Sequence, residues 1–410
     1  MASTARSSSS VYALTWVAMM AFFVILFFNV GAANPPRAQL PVYVESELAA
    51  APIVTSIVQS TFHVVFAAML LLGGFLADRF RPKRTFIIGL LTPAIAGFLL
   101  IAQEVWILLI VAALTGTFFA FHAAGSRAYL VLAVPLKRMG VLGNLYELGF
   151  TLGAAIGNAA VGFVAARSGF PLAGMIIVVL GIATAVAAQI WLPPVAPKVV
   201  SAAPVTLGSY WQLARRRSVQ LLLLLRGLPT IYWATGQLVI GIQLLRLTGS
   251  PVAPALFYAV SLLTIGATML PVGWAADRWG SGLPVLVSSV LVITGAVLAA
   301  IFVNSVWGLV CGAFVGHLGA WWLSGLFPLL VAESGTHDEQ GRLVAVTEMA
   351  WNIGAVVGAL GAGALLTVHL SAPFLVAAWL NIPTLFIAML VASGGHRAVT
   401  GKSVAALETG

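Results

Sequence analysis

The sequence predicts an all-α polytopic membrane protein, with twelve transmembrane helices in two pseudo-symmetric six-helix bundles. Three observations carry this prediction. Of 410 residues, 61% are apolar by type and 8% are charged, against ~25% charged in a soluble domain. Apolar runs of the ~20 residues needed to cross a bilayer recur along the whole chain. The two halves also repeat one another at a spacing near 200 residues.

The runs and their punctuation give spans at approximately 12–40, 51–77, 84–103, 105–134, 140–166 and 170–193, then 219–247, 252–276, 283–303, 305–332, 341–368 and 372–393. The organisation is therefore an N-terminal bundle over 1–193, a cytoplasmic linker over 194–218, a C-terminal bundle over 219–393 and a cytoplasmic tail over 394–410. Span 1 contains Pro35, Pro36 and Pro41, which predicts a kink toward its outer end. No small-residue cleavage site follows its apolar run, so it reads as an uncleaved span. The single Cys311 excludes an intramolecular disulfide.

Charge sets the expected orientation. With the N-terminus inside, 15 of the 20 Lys and Arg fall on the inner side, among them Lys83, Arg84, Lys137, Arg138, Arg215, Arg216 and Arg217. This is the positive-inside pattern, and it predicts a multi-pass protein of the cell membrane with both termini cytoplasmic. The net charge of +9 is thereby explained without a nucleic-acid partner. The lipid bilayer is the expected surrounding, and a monomer the expected state.

The repeat is specific. Gly74-Phe-Leu-Ala-Asp78-Arg79-Phe80 after span 2 recurs as Gly273-Trp-Ala-Ala-Asp277-Arg278-Trp279 after span 8, a shift of 199. Gly140, Glu147, Gly153, Gly157 and Gly162 recur as Gly341, Glu348, Gly354, Gly358 and Gly363, each shifted by 201. A parallel duplication of six spans is a common transporter plan, with the site between the halves.

The loop Gly74-x-Leu76-x-Asp78-Arg79, followed by Lys83 and Arg84, resembles the signature loop of the major facilitator superfamily, and Gly273…Asp277-Arg278-x-Gly280 resembles its second copy. The resemblance covers the whole chain and implies that family's fold; within the family the chain resembles the drug/proton antiporter-like members. It departs at Arg81-Pro82, where the family usually has Gly, and at Asn158 after Gly157, where its antiporters have Pro. The resemblance implies a conformational latch at Gly74, Asp78, Arg79, Gly273, Asp277 and Arg278. It also implies a central cavity lined by spans 1, 4, 7 and 10. The substrate-binding candidates carried over are Asn34 and Arg37, then His122 and Arg127, then Arg226, Tyr232, Trp233 and Gln237, and finally His317, Trp321 and Trp322.

Charge inside a membrane is costly and marks function by default. Glu147 and Glu348 sit seven residues inside their helices, ~10 Å of rise, and with His63 are the proton-coupling candidates. Arg127 is the expected neighbour of Glu147. Gly149, Gly153 and Gly157, and Gly354 with Gly358, have the small-xxx-small spacing of close helix packing.

No cofactor or metal is expected. There is no His-x-x-x-His pair or Cys/His cluster, and Gly395…Gly401-Lys402-Ser403 has one residue too many for a phosphate loop. No catalytic motif is present, so an enzyme is not expected. The expected function is secondary active transport by alternating access, with proton-coupled efflux of an amphipathic or aromatic compound. The alternatives are a proton symporter or uniporter for a sugar or organic anion, or a lipid flippase. Partners are thus a small-molecule substrate and protons.

Overall fold

The computed structural model describes residues 16–79, 82–133, 139–195, 207–336 and 339–392, with the side chains of 16, 71–79, 131, 133, 139–141, 143, 144, 207–209, 341 and 392 outside that description. Among the described residues there are helices and no strands. Twelve helical stretches are long and apolar enough to cross a bilayer. Spans 1 to 6 are Val17–Ser46, Pro52–Leu70, Pro82–Leu100, Val105–Leu130, Leu145–Ser168 and Phe170–Trp191. Spans 7 to 12 are Arg217–Thr248, Val252–Trp279, Gly282–Ile301, Val306–Ser334, Arg342–Leu365 and Ala372–Val391. Exposed Trp106 and Trp307 ring one end of the bundle, and exposed Trp191, Trp211, Trp274 and Trp279 ring the other, as interfacial indoles do. The second end carries the linker between spans 6 and 7, and it is called the linker end below; the opposite end is the distal end.

Span 1 is broken where its prolines fall. One helix covers Trp16–Ala33 and a second covers Pro35–Ser46. Pro35 and Pro36 have no amide hydrogen to donate, so the ladder restarts with the amides of Arg37 and Ala38 both on the carbonyl of Asn34, at 3.2 Å. Arg37 stands in the first turn of the second helix, at the level of the central cavity.

The repeated glycines make matching contacts in the two halves. A Cβ on Gly153 or Gly157 would run into the main chain of Phe27 or Gly31. A Cβ on Gly354 or Gly358 would run into the main chain of Gly227 or Ile231. Span 5 thus lies on span 1 as span 11 lies on span 7, backbone on backbone. Span 3 breaks up beyond Gly89 into the short pieces Thr92–Ala96 and Gly97–Leu100, where Pro93 cannot continue the ladder.

The halves meet at the distal end. Gly162 abuts Ala255 and Gly363 abuts Ser56, with no room for a side chain at either glycine. Glu45 and Arg246 form an ion pair of 2.7 Å across the same seam. Nearer the middle, Gly266 faces Thr151. Toward the linker end the seam loosens, and Gly273 has nothing within 4 Å of the place a Cβ would take. The linker contributes a short helix, Leu207–Ala214, whose exposed Trp211 ring carries the Arg215 guanidinium at 5.0 Å. Beside it, Arg216 holds Glu339 at 2.8 Å. That hydrogen-bonded guanidinium keeps the Glu339 carboxyl below the usual carboxylate range.

Candidate functional site

A cavity lies between the halves, with about 860 Å³ of non-atom space when the solvent it opens to is counted. It begins just inside the distal seam. Its polar side chains are Asn34 and Arg37 from span 1, Gln59 and His63 from span 2, and Asn158 from span 5. The second half supplies Trp233 and Gln237 from span 7, Tyr258 and Ser261 from span 8, and His317 and Trp321 from span 10. Every other lining residue is apolar, and no carboxylate lines the cavity among the described residues.

Arg37 dominates the chemistry. Its guanidinium carbon sits 4.6 Å from the centre of the Phe62 ring and 4.7 Å from that of Phe119. The two ring faces hold the cation electrostatically and fix its plane. Among the described residues no carboxylate lies within 4.0 Å of it. A half-buried guanidinium with aromatic faces and no counter-ion has its N–H fork free for an incoming anion.

His63 stands beside this group. Its Nδ1 is 3.2 Å from Oδ1 of Asn352, a contact from span 2 to span 11. Asn352 in turn donates from Nδ2 to the carbonyl of Glu348, 2.9 Å away. The His63 ring meets Trp351 edge to face at 5.2 Å. Trp351 packs on Trp233 at 5.4 Å, and Trp233 meets Trp321 at 6.4 Å. These indoles form a wall across the linker side of the cavity.

Behind the wall is a second, smaller pocket, lined by Arg226, Ser324 and Phe327 and sharing Trp233 and Trp321 with the first. Here the arginine is occupied. Arg226 forms an ion pair with Glu348 at 2.9 Å, donates to Ser324 Oγ at 2.6 Å and lies over the Phe327 ring at 4.8 Å. Its Nε is sealed without a partner.

The substrate-binding candidates therefore divide. Asn34, Arg37, Trp233, Gln237, His317 and Trp321 line the central cavity. Arg226 lines the second pocket. Tyr232 is fully buried among spans 7 and 10, its hydroxyl donating to the Ala313 carbonyl at 3.2 Å. Trp322 turns toward span 8 and donates to Thr268 at 2.9 Å. His122 lies one layer back, its ring stacked on Phe119 at 6.0 Å. Arg127 is exposed toward the linker end, against Tyr146 and within electrostatic range of Glu147 and Glu348. Arg127 and Glu147 do not close to 4.0 Å. The resemblance placed spans 1, 4, 7 and 10 around the cavity, but span 4 supplies only Ala112 to it.

Of the latch residues, Asp277 is exposed and Arg278 lies over the Trp274 ring at 5.6 Å. Gly74 lies in the helix Pro52–Arg79; the side chains of Asp78 and Arg79, residues Phe80 and Arg81, and the tail with its Gly401-Lys402-Ser403 lie outside the described residues.

Several lining or supporting residues had no place among the sequence candidates. Asn158 donates to Asn34 Oδ1 at 2.9 Å; its signal is its position directly after Gly157, at the closest approach of spans 5 and 1. Asn352 lies four residues after Glu348, one helical turn on the same face. Tyr258 and Ser261 belong to span 8, a span the resemblance did not place around the cavity.

The comparisons agree with this architecture. The chain matches the family description of the Major Facilitator Superfamily over residues 11–358. No curated protein matches it. Among solved structures, a mutant of the nucleoside transporter NupG superposes with a TM-score of 0.76 at 14% identity, covering 91% of this chain and 99% of that one. A POT family transporter in complex with 5-aminolevulinic acid gives 0.76 at 11% identity, covering 92% and 96%. A mutant of the peptide transporter POT in complex with alafosfalin gives 0.74 at 15%, covering 93% and 97%. At these identities the structures establish a shared fold. With most of its length matched by the family, this multi-pass membrane chain belongs to the major facilitator superfamily of secondary transporters.

Proposed function

We propose that the protein moves a small organic anion with an aromatic or apolar body across the cell membrane, by alternating access and in exchange or company with protons. Arg37 is the observation that carries this reading: an arginine fork held between two phenyl rings, in a central cavity that no carboxylate lines among the described residues. A cationic drug would meet this charge unshielded. An anion would take two charge-assisted hydrogen bonds from it and lay its apolar body against Trp233 and Trp321.

In this reading the linker end faces the cytoplasm, and the structure is closed on the outside by Glu45–Arg246 and the Gly162 and Gly363 contacts. The two bundles rock about the cavity. The proton is assigned to Glu348. Neutralising this carboxylate removes its pairing with Arg226 and frees a second guanidinium on the linker side of the indole wall. Arg127 on span 4 lies within electrostatic range of both. Glu147 is the other carboxylate near this path.

The test uses purified protein in liposomes with a trapped pH dye, challenged with benzenesulfonate, phenylacetate, a quaternary aromatic cation and glucose. Protein-free liposomes supply the passive leak of each. Protein-dependent proton flux with the two anions supports the reading. Flux with the cation or with glucose, and none with the anions, would overturn it.

A further inference from the structure

His63 and Asn352 touch across the two halves, and the geometry fixes which atom plays which part. Asn352 Nδ2 lies 2.9 Å from the Glu348 carbonyl oxygen. A carbonyl only accepts, so the atom facing it must be the amide nitrogen. The atom facing His63 is then Oδ1, also an acceptor, at 3.2 Å from Nδ1. That contact is a hydrogen bond only if Nδ1 carries the hydrogen. In a neutral imidazole the other nitrogen, Nε2, is left with its lone pair.

The surroundings of Nε2 show what the lone pair is for. The buried Nε2 atoms of His122 and His317 are sealed without partners, and that of His63 is not among the sealed atoms. His63 lines the central cavity. Phe62, whose ring takes the Arg37 guanidinium, meets the His63 ring edge to face at 5.0 Å. Arg37 is within electrostatic range of the imidazole, and among the described residues no carboxylate lines the cavity to balance a second cation there. One wall thus presents a cationic donor fork and a neutral acceptor side by side.

We propose that Asn352 is a positioning residue that holds His63 in its Nδ1–H tautomer, so that Nε2 presents an acceptor next to Arg37 for the transported molecule. This rests on the anion reading above and narrows it. The substrate is an anion that carries a neutral hydrogen-bond donor beside its charge, such as an aromatic hydroxy acid. A plain aromatic carboxylate would leave Nε2 desolvated and unpaired, which costs affinity. Because the contact spans the two halves, rearrangement of the bundles at this seam would release the tautomer lock and loosen the hold on that donor.

Two measurements test this. The first needs no ligand: nitrogen NMR of protein labelled with ¹⁵N-histidine in lipid nanodiscs, with the His63 signals assigned by their loss in His63→Phe. The wild type should show a protonated Nδ1 and an unprotonated Nε2, and Asn352→Leu should shift the ring toward the Nε2–H form. A wild-type ring with hydrogen on Nε2 would overturn the proposal, whatever the protein transports. The second compares binding of mandelate and phenylacetate, which differ by one hydroxyl. Wild type should prefer mandelate by about tenfold, one hydrogen bond's worth, and His63→Phe should reduce the ratio to near one. Equal binding of the two acids by wild type overturns the donor requirement and leaves the anion reading standing. Binding of neither overturns the anion reading and the substrate class drawn from it, with the tautomer decided separately by NMR.

Discussion

Arg246 reaches from the distal end of span 7 to Glu45 at the end of span 1, and their 2.7 Å ion pair ties the first half of the molecule to the second. The side chains remain 42% and 21% exposed, so the pair is worth less than ~1 kcal/mol. Such a contact biases a rocking equilibrium without locking it. Glu45→Gln or Arg246→Gln should therefore raise the open fraction at the distal end by roughly two- to fivefold. The check is the rate at which a membrane-impermeant maleimide labels a cysteine placed at Ser56, in a Cys311→Ser background. The charge-reversed double variant should restore the slow rate.

The glycine contacts at that seam are stricter. A side chain at Gly363 meets Ser56, and one at Gly162 meets Ala255. Gly363→Leu should prevent distal closure, because packed interiors do not absorb several added carbons without displacement. Helical circular dichroism should be unchanged and transport should fall by at least about tenfold. The Ser56 cysteine should label far faster than with the charge variants.

The Arg226–Glu348 pair is more deeply set, with side chains 11% and 27% exposed. Glu348→Gln leaves the guanidinium without its counter-charge and should cost about 2 kcal/mol, less than breaking a fully buried pair because Glu348 is partly exposed. Thermal unfolding in detergent should show a drop of several degrees, and the Arg226→Met, Glu348→Leu double variant should recover most of it. Arg226→Lys should not rescue, because an ammonium lacks the planar fork that reaches Ser324 and Glu348 together. On the proposed assignment, proton flux is lost in Glu348→Gln and retained in Glu147→Gln.

Near the linker, Glu339 carries a depressed pKa because Arg216 hydrogen-bonds its carboxylate. A depressed folded-state pKa contributes stability above the unfolded value, about 4.3, and loses it as pH falls through the folded value. Wild type and Glu339→Gln should therefore differ by a constant amount, under about 1 kcal/mol, between pH 5.5 and 8. The difference should vanish only below the ordinary carboxylate range. Parallel unfolding curves at stepped pH would show it.

The duplicated architecture was legible in the sequence because its signals are spacings. The shared shift of Gly153 and Gly354 becomes two matching helix contacts, and Pro35-Pro36 becomes the break in span 1. Which face of a span looks inward was not legible. A helix apolar all round shows no polar stripe, so lipid and a protein core ask for the same residues. Hence His122 and Arg127 were expected around the cavity, whereas the phase of span 4 sends the first behind Phe119 and the second to the linker end. Phe62 and Phe119 show the converse: nothing in their composition marks them as the two faces of an arginine clamp, which exists only once spans 1, 2 and 4 are assembled.

If Arg37 receives the anion, equilibrium binding must depend on its guanidinium. Isothermal titration of the purified protein with mandelate, benzenesulfonate and a quaternary aromatic cation would be run on wild type, Arg37→Lys and Arg37→Gln. The protein should bind the anions and not the cation. Affinity should fall about 10- to 100-fold in Arg37→Gln, the worth of hydrogen bonds to a charged group, with Arg37→Lys between. Anion binding unchanged in Arg37→Gln, or a protein that binds only the cation, would contradict this role of Arg37.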